Sequence, residues 1–503
     1  MQDTLQARPQ LSKSSLPLIK NITTPQVSIM DLPEKVLQFG TGVLLRGLPD
    51  YYIDKANKMG AFNGRIVVVK STSQNRADEF SEQDGLYTLC MRGWQNGQSF
   101  AQDIINCSIS RVIDANANWK EVIKCAANPE MKIIFSNTTE VGIQLDKEDK
   151  ISATEPPRSF PGKLVSFLYE RFKIFEGDPG MGMVIVPTEL IADNGRTLEA
   201  ICLELAKIAD LEPAFILWLE KSNEFCDSLV DRIVAGKMQE AEAAEVEGQL
   251  GYKDKLMIMS EVYGLWAIET ESKDAAAVLS FDIADSGVIV TPNIEKYRHL
   301  KLFLLNAPHT FTCVLAQAVG FQFVNEAMAD KDFNNFISHL LMEEAVPAVV
   351  NADTTKEEAV SFARDVLDRF RNPYINHQWS DISKQMTLKM VMRCIPLIQA
   401  YREKFDALPP FMIRGFAAYL LFLKTKSEGS ENYSSLNGHQ FKVTDAKSAT
   451  LQKHWQSADT VTAVKNILSD RQLWQMDLTG IPLLEQTVIK AVLELEQRIT
   501  LNF

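Results

Sequence analysis

Three polar residues in an apolar segment are the strongest candidates for chemistry in this chain. The segment KLFLLNAPHTFTCVLA starts at Lys301, and Asn306 and His309 interrupt a run that otherwise suits a buried helix. In a regular α-helix, Asn306 lies roughly 140° and His309 roughly 80° from Lys301, on one broad face. A desolvated lysine can exchange a proton with a substrate hydroxyl, while an amide and an imidazole polarise the same oxygen.

The same residues also fit a purely structural role. The lysine would then extend to solvent, and Asn306 and His309 would be hydrogen-bonded inside the core. Pro308 removes a backbone donor from the segment, so we expect the helix to bend there.

A second candidate site follows the short apolar run from Lys35 to Phe39. The chain continues with Gly40, Thr41 and Gly42 and then an apolar stretch that suits a helix. This layout is typical of a dinucleotide-binding unit, in which glycines let a pyrophosphate approach the free amides of a helix N-terminus. The next glycine falls two positions late for G-x-G-x-x-G, so an ordinary strand–helix turn is the alternative.

Further strands support a dinucleotide-binding fold. Dense β-branched runs at 65–70, 131–136 and 183–186 alternate with helical patterns, which predicts a doubly wound parallel sheet. Ligands of such sheets bind at the carboxyl ends of the strands. The predicted cofactor-binding residues at that edge are Phe39, Gly40, Thr41, Gly42, Lys70, Ser71, Ser136, Asn137 and Thr138.

Two acidic residues follow the strand at 183–186. Glu189 and Asp193 either orient substrate hydroxyls or cap the next helix. After the second strand, Lys70 and Ser71 stand where an NAD site usually has an acidic residue for the ribose. A lysine there suits a 2′-phosphate, so NADP stays open as an alternative to NAD.

A basic group in the second half predicts a receptor for a carboxylate. Arg371 precedes an Asn-Pro turn that leads to His377, and Lys389 and Arg393 are four residues apart on one helix face. The alternative is a set of surface charges, each paired with Glu or Asp.

The second half otherwise reads as helical. We predict an α/β, Rossmann-type domain at 1–295 and a mostly α-helical substrate domain at 296–503. Helical periods recur at 333–344, 356–370, 383–405, 410–423, 460–470 and 483–498. The polar segment 426–447 is predicted to be a surface excursion without strands.

Composition excludes several classes of function. A net charge of −13 argues against binding nucleic acid or anionic lipid, and no apolar run is long enough to span a membrane. Seven scattered cysteines and no apolar leader predict a cytoplasmic protein with reduced thiols. Neither the cysteines nor the six histidines have metal-site spacing, so no metal is predicted. The sequence does not predict an oligomeric state.

Several of these segments together resemble a known family. Lys301-x4-Asn306-x2-His309 is similar to the catalytic signature of the polyol-specific long-chain dehydrogenases, the mannitol dehydrogenase family. Five other segments resemble the branch of this family that acts on keto-hexuronates: Gln38–Gly42, Ser136–Glu140, Pro187–Leu190, Leu229–Ile233 and Arg371–Tyr374.

The resemblance implies a fold, a cofactor and a reaction. It implies a Rossmann-type domain, a helical domain, NAD(H) in the cleft between them and metal-independent hydride transfer. Lys301 would be the general acid and base, Asn306 would hydrogen-bond the reacting oxygen, and His309 would hold a neighbouring hydroxyl or orient the lysine. At the position that matches the family's second Asn donor this chain has Glu189, so the resemblance implies that Glu189 binds a sugar hydroxyl instead.

The resemblance implies that the substrate is a small sugar acid, one of the keto-hexuronates. A different keto-hexuronate or a neutral polyol is the alternative within the family. Two alternatives come from other classes of protein. One is a sugar-acid isomerase or hydrolyase with a metal held by His309, His377, Glu189 and Asp193. The other is a nucleotide sensor without catalysis.

Overall fold

The structure is a computed structural model that describes residues 8–71, 77–138, 142–456 and 459–499. The described residues form two compact units. The first lies within Met1–Arg92 and Phe100–Ile294, and the second lies within Gly93–Ser99 and Glu295–Phe503. The sequence predicts a domain boundary between residues 295 and 296. In the structure, the chain passes from the first unit to the second between Ile294 and Glu295.

The first unit is built on a six-stranded sheet. Its strand order is β5-β2-β1-β6-β7-β8, and every neighbouring pair is parallel. The chain therefore reverses its winding direction at the β1–β6 pair, where Phe39 lies opposite Ser136. The strands that lie wholly or mostly in this unit are β1 Glu34–Phe39, β2 Arg65–Lys70, β3 Tyr87–Gln95, β4 Gln98–Asn106, β5 Ile109–Asp114, β6 Ile133–Ser136, β7 Val184–Pro187, β8 Glu224–Phe225, β9 Ser228–Asp231, β10 Val234–Gly236, β11 Ile258–Ser260, β12 Leu265–Glu269 and β13 Val288–Thr291.

Helices cover both faces of this sheet, as the dense β-branched strands require. Val36, Ile66 and Val68 pack into one core, while the alternating Leu37 and Val67 pack into the other. The predicted doubly wound Rossmann-type fold is confirmed. The helices of the unit are α1 Val27–Met30, α2 Val43–Gly47, α3 Pro49–Lys58, α4 Ala77–Glu82, α5 Ala115–Lys124, α6 Phe160–Ile174, α7 Asn194–Ile208, α8 Pro213–Ser222, α9 Glu240–Leu250 and α10 Lys273–Val278.

The second unit is mostly helical, as predicted. The helix from Lys356 to Phe370 has the predicted bounds, because Thr355 and Glu358 form a capping box at its start. The helices are α11 Glu295–Leu300, α12 Ala307–Ala318, α13 Val324–Ala329, α14 Lys331–His339, α15 Val346–Val349, α16 Lys356–Phe370, α17 Trp379–Ile382, α18 Met386–Lys389, α19 Ile395–Phe405, α20 Pro410–Phe422, α21 Ser448–Gln456, α22 Thr460–Ser469, α23 Arg471–Trp474 and α24 Leu484–Gln497.

Three π-helical turns interrupt these helices, at Lys301–Asn306, Leu340–Ala345 and Met390–Cys394. A proline follows each π turn by two residues, in the first turn of the next helix, where its missing amide hydrogen costs least. The first and third π turns contain residues that were predicted to do chemistry. π turns are frequent at functional sites.

The prediction of a segment without strands at 426–447 is wrong. This segment forms an antiparallel sheet in the order β14-β15-β16, from strands β14 Lys426–Glu428, β15 Glu431–Leu436 and β16 His439–Val443. Asn437 and Gly438 both have positive φ (49° and 82°), so they form the tight turn that joins two strands. The strand residues are largely polar and exposed, and the apolar periodicity that predicts a strand is therefore weak here.

Every helix among the described residues is too short or too polar to cross a membrane.

Candidate active site

A cleft of about 850 Å³ opens at the carboxyl ends of β1 and β6 in the first unit. This is the edge at which parallel sheets bind ligands. Seven of the nine predicted cofactor-binding residues line this cleft, whereas Lys70 and Ser136 do not. The lining residues are Phe39, Gly40, Thr41, Gly42, Ser71, Asn137, Thr138, Gly142, Gln144, Leu145, Asp146, Arg158, Ser159, Phe160 and Lys163.

The two glycines of the β1–α2 turn have different roles. Gly40 has φ +127°, and a Cβ there would lie 2.9 Å from the Leu45 side chain and 3.2 Å from the Asn137 carbonyl oxygen. The β1–α2 turn therefore needs glycine at this position. Gly42 has ordinary extended angles (φ −60°, ψ 153°), and a Cβ there would meet no protein atom within 4 Å. Nothing in the fold requires glycine at position 42, so the space beside it is available to a ligand.

Replacing Gly42 with valine should weaken NADH binding by ~10-fold or more, because the side chain would occupy space in the cleft. The free energy of unfolding should change by no more than about 0.5 kcal/mol, since the backbone angles suit any residue. NADH fluorescence titration and denaturant unfolding measure the two effects. Gly40→Ala is the contrasting variant, for which we expect lower stability; unchanged NADH binding by Gly42→Val would show that the cofactor lies elsewhere.

Glu189 connects the ends of β6 and β7. Its carboxylate accepts hydrogen bonds from Ser136 Oγ (3.1 Å), Thr138 N (2.7 Å) and Thr138 Oγ1 (3.0 Å). Burial raises the pKa of Glu189, and the hydrogen bonds from Thr138 and Ser136 oppose that shift. This geometry gives Glu189 a role in holding the cleft wall, which the sequence did not predict.

Both polar atoms of the Asn194 side chain are hydrogen-bonded within the protein. Its amide group donates to the carbonyl oxygens of Pro187, Glu189 and Ser228, and its carbonyl oxygen accepts from Ser228 N. It therefore has no donor left for a substrate. Asp193 lies beside it in the left-handed region (φ 50°), 3.8 Å from Arg196.

Lys70 is buried at the end of β2, with 3% of its surface exposed. Its Nζ lies 3.4 Å from the Asp114 carboxylate at the end of the neighbouring strand β5. The positive charge that suggested NADP is therefore compensated within the protein. Ser71, the next residue, lines the cleft instead.

In the second unit, the π turn changes the relation between Lys301 and Asn306. The regular α-helix predicted over this segment is wrong, because residues 301–306 are π-helical. A π turn pairs residue i with residue i+5, so Asn306 lies one turn above Lys301 rather than roughly 140° round the axis. The backbone thus brings the proposed acid and the proposed amide donor to one side of the helix.

His309 lies one helical turn further on, with its ring against Phe370 (centroids 3.9 Å apart) and near His377 (5.2 Å). Burial lowers its pKa well below the usual value, and the charges of His377, Arg369 and Arg393 lower it further. The ring is hydrogen-bonded to the Leu305 backbone, and its buried Nε2 has no hydrogen-bond partner among the described residues. This bonding assigns the proton to Nδ1, so Nε2 is a hydrogen-bond acceptor at neutral pH.

The pH dependence of stability tests whether His309 is neutral in the folded protein. Below pH 6.5 an unfolded histidine takes up a proton, whereas folded His309 stays neutral, so falling pH favours the unfolded chain. Replacing His309 with Asn should therefore reduce the loss of stability between pH 6.5 and 5 by up to ~1.4 kcal/mol per pH unit. Denaturant unfolding at several pH values measures the slope; equal slopes in both proteins would mean that His309 titrates normally.

The predicted basic group is only partly brought together. Arg393 NH1 lies 3.5 Å from the Asn306 carbonyl oxygen and 3.4 Å from Thr310 Oγ1, and its Nε is buried without a partner. Among the described residues Arg393 has no carboxylate partner, and burial lowers its pKa. Lys389 lies close enough to Arg393 for the two positive charges to repel each other. Burial and the charge of Arg393 both lower the pKa of Lys389.

The other two members of the basic group, His377 and Arg371, have different surroundings. His377 is next to His309, and burial and the charges of Lys389 and Arg369 lower its pKa while Asp381 opposes. Arg371 instead donates to Asp368 (3.5 Å) and to Asn334 (3.3 Å). Arg371 is thus engaged in holding α14 and α16, and of the two arginines only Arg393 has no carboxylate partner among the described residues.

Comparison with known proteins identifies the family. The Mannitol dehydrogenase Rossmann domain matches residues 34–280, and the Mannitol dehydrogenase C-terminal domain matches residues 293–496. The chain belongs to the mannitol dehydrogenase family. It is therefore an oxidoreductase, a dehydrogenase that acts on CH–OH groups, and the resemblance noted in the sequence is confirmed.

Individual relatives cover nearly the whole chain. The altronate oxidoreductase of Halalkalibacterium halodurans is 35% identical over 477 residues, which are 92% of this chain and 90% of that protein. The altronate oxidoreductase of Klebsiella pneumoniae is 36% identical over 461 residues, covering 90% and 93%.

Two solved structures share the fold of this mannitol dehydrogenase family member at 20% identity. D-sorbitol dehydrogenase in substrate-free form has a TM-score of 0.76, covering 97% of this chain and 98% of that one. Pseudomonas fluorescens mannitol 2-dehydrogenase, in a ternary complex with NAD and D-mannitol, has a TM-score of 0.64 and covers 97% of both chains.

The metal-dependent alternative requires a group of ligating side chains that lie close together. Among the residues that the structure describes, no three His, Cys, Asp or Glu side chains are grouped so as to hold a metal ion. Glu189 is bonded to Ser136 and Thr138 within its own unit. A metal held by Glu189, Asp193, His309 and His377 is therefore unsupported in this dehydrogenase.

Sequence reasoning missed the far wall of the cleft in this dehydrogenase. It is lined by residues from the loop after β6 and from the first turn of α6, namely Gly142, Gln144, Leu145, Asp146, Arg158 and Lys163. A signal for them exists in Ser159-Phe-Pro161, since Ser is a preferred N-cap and Pro is favoured in the first helical turn. A helix that starts after a strand of a parallel sheet must start near the ligand edge.

Proposed function

We propose that the chain catalyses the reversible, NADH-dependent and metal-independent reduction of the keto-hexuronate tagaturonate to altronate. Relatives named altronate oxidoreductase, 33–36% identical over about nine-tenths of the chain, support this substrate. NAD is the cofactor, in keeping with the Rossmann-domain match and the NAD in the mannitol 2-dehydrogenase neighbour. The cleft fits such a group, because Gly40 and Gly42 line it and Gly42 leaves open space beside it.

The observation that carries the choice of an acidic sugar is the position of Arg393. Its guanidinium, from the Met390–Cys394 π turn, contacts Asn306 and Thr310. A cation that has no carboxylate partner among the described residues therefore lies against the helix that carries Lys301, Asn306 and His309. Arg369 adds positive charge near His309. A neutral polyol would leave this charge uncompensated, whereas the carboxylate of a hexuronate can form a bidentate pair with Arg393.

In the proposed reaction, NADH supplies a hydride to the carbonyl carbon. The ammonium of Lys301 donates a proton to the carbonyl oxygen as negative charge develops on it, and the neutral amine removes that proton in the reverse direction. The Asn306 amide donates a hydrogen bond to the same oxygen and stabilises its charge. Nε2 of His309, an acceptor, takes a hydrogen bond from a neighbouring hydroxyl and so orients the sugar.

Oxidation of NADH, and separately of NADPH, against a panel of keto-hexuronates and neutral ketoses tests this function. We expect the largest kcat/KM with NADH and tagaturonate and no loss of activity with a chelator. Faster turnover of fructuronate or of a neutral ketose would assign a different substrate within the family. Oxidation of neither cofactor with any carbonyl compound in the panel would contradict the proposal.

We further propose that the enzyme is cytoplasmic. None of the seven cysteines takes part in a disulfide, which supports a reducing compartment.

A further inference from the structure

Lys163 is a buried cation in the wall of the cleft that no sequence pattern had indicated. It lies in the first turn of α6, and only 4% of its surface is exposed. Among the residues that the structure describes, its ammonium donates one hydrogen bond, to the Arg158 carbonyl oxygen at 3.0 Å. An ammonium has three donors, so two remain for a group in the cleft that Lys163 lines.

The fold does little to stabilise this charge. A cation in the first turn of a 15-residue helix faces the positive end of the helix dipole. The nearby Asp149 carboxylate accepts from Arg158 N (2.7 Å) and Ser159 N (3.1 Å), and among the described residues Lys163 forms no ion pair. Burial lowers the pKa of Lys163, and Asp149 only partly opposes that shift.

An anion in the cleft would supply the missing compensation. Within a dinucleotide, the diphosphate is the part that carries negative charge, whereas the riboses are neutral. The cleft also contains Gly42, next to which there is open space for a bulky group. A buried ammonium with unfilled donors therefore matches a phosphate better than it matches any other part of the cofactor.

We propose that Lys163 binds a phosphate of the dinucleotide cofactor. This inference rests on the proposed function. It assigns the phosphate contact to a charged side chain from the β6–α6 loop region, in addition to the backbone amides of the β1–α2 turn.

Lys163→Met is the direct test, because methionine keeps the apolar stem and removes the charge. Lys163→Gln is the second variant, since it keeps a donor for the Arg158 carbonyl. Lys132→Met is the matched control: Lys132 lies in the same unit, donates to the Gly180 carbonyl oxygen (2.9 Å), and also has a pKa lowered by burial. It precedes β6, at the opposite end of the strand from the cleft.

Three probes separate the contributions: NADH, ADP-ribose, which keeps the diphosphate, and adenosine, which has none. NADH binding is followed by fluorescence, and the other two compounds by competition. We expect both Lys163 variants to bind NADH and ADP-ribose about 10- to 100-fold more weakly, the effect of losing one charged hydrogen bond. Adenosine binding should be unchanged, and Lys132→Met should bind all three probes like the wild type.

The remaining outcomes separate this inference from the proposed function. Wild-type affinity for NADH in both Lys163 variants, or an equal loss for adenosine, would overturn the phosphate contact while leaving the dehydrogenase intact. Absence of NADH binding by the wild type would instead overturn the proposed function. Thermal unfolding without ligand shows whether each variant is folded; if Lys163→Met is not, Lys163→Gln decides.

Discussion

Turnover of the Lys301→Ala variant should be lower by about 10²–10⁴-fold, the usual contribution of a positioned general acid or base. The physical reason is that no other donor would deliver a proton to the carbonyl oxygen as it becomes an alkoxide. NADH binding should stay near the wild-type value, because the residues of the glycine cleft are all in the first unit. Steady-state kinetics and NADH fluorescence titration measure the two quantities.

Lys296→Ala is the matched control for this experiment. Lys296 lies five residues earlier in the same unit, and its ammonium is paired with Glu358 at 2.8 Å. Its removal should leave kcat near that of the wild type. Added small primary amines should partly restore turnover to Lys301→Ala and do nothing for the control. Unchanged kcat in Lys301→Ala would reject the acid–base role.

The Arg393→Ala variant should lose about 10- to 100-fold in kcat/KM for a keto-hexuronate, mainly through a higher KM. The loss should be much smaller for a neutral ketose of the same length, since that substrate has no carboxylate to pair with the guanidinium. The specificity ratio between the two substrates is therefore the decisive measurement. Lys389→Ala should change this ratio in the same direction but less, because its ammonium already donates to the Ile382 carbonyl oxygen at 2.6 Å.

Arg371→Ala serves as the control for charge removal. Its guanidinium contacts Asp368 and Asn334, so the variant should affect stability and change both substrates' kinetics alike. An equal loss for both substrates in Arg393→Ala would remove the carboxylate assignment. A large change of the ratio in Arg371→Ala would show that the wrong arginine has been chosen.

Local patterns in the sequence determined most of the architecture. The runs at 65–70 and 183–186 are β-branched and apolar, so they suit only strands buried on both faces, and both occur as β2 and β7. The predicted bounds of a helix were accurate where the capping residue directly precedes the helix in the sequence, as Thr355 does. The polar strands β14 to β16 were missed because exposed strands lack the apolar alternation that marks a buried face.

The chemistry of the candidate site depended on distances that no local pattern contains. The sequence alone named Lys301, Asn306 and His309, since three polar groups in one apolar helix are unusual. It placed Asn306 by α-helical angles, and only the fold showed the π turn, because hydrogen-bond register depends on how the helix packs.

Which charges are available was likewise decided by tertiary structure. Lys70 and Asp114 are 44 residues apart, and only the pairing of β2 with β5 brings them together. Arg371 and Arg393 look equivalent in the sequence. In the structure, Arg371 contacts the Asp368 carboxylate, whereas Arg393 contacts the Asn306 carbonyl oxygen and the Thr310 hydroxyl. The sequence determines which groups can carry charge; the fold determines which of those charges are already compensated, because compensation acts over a few ångströms in space and not along the chain.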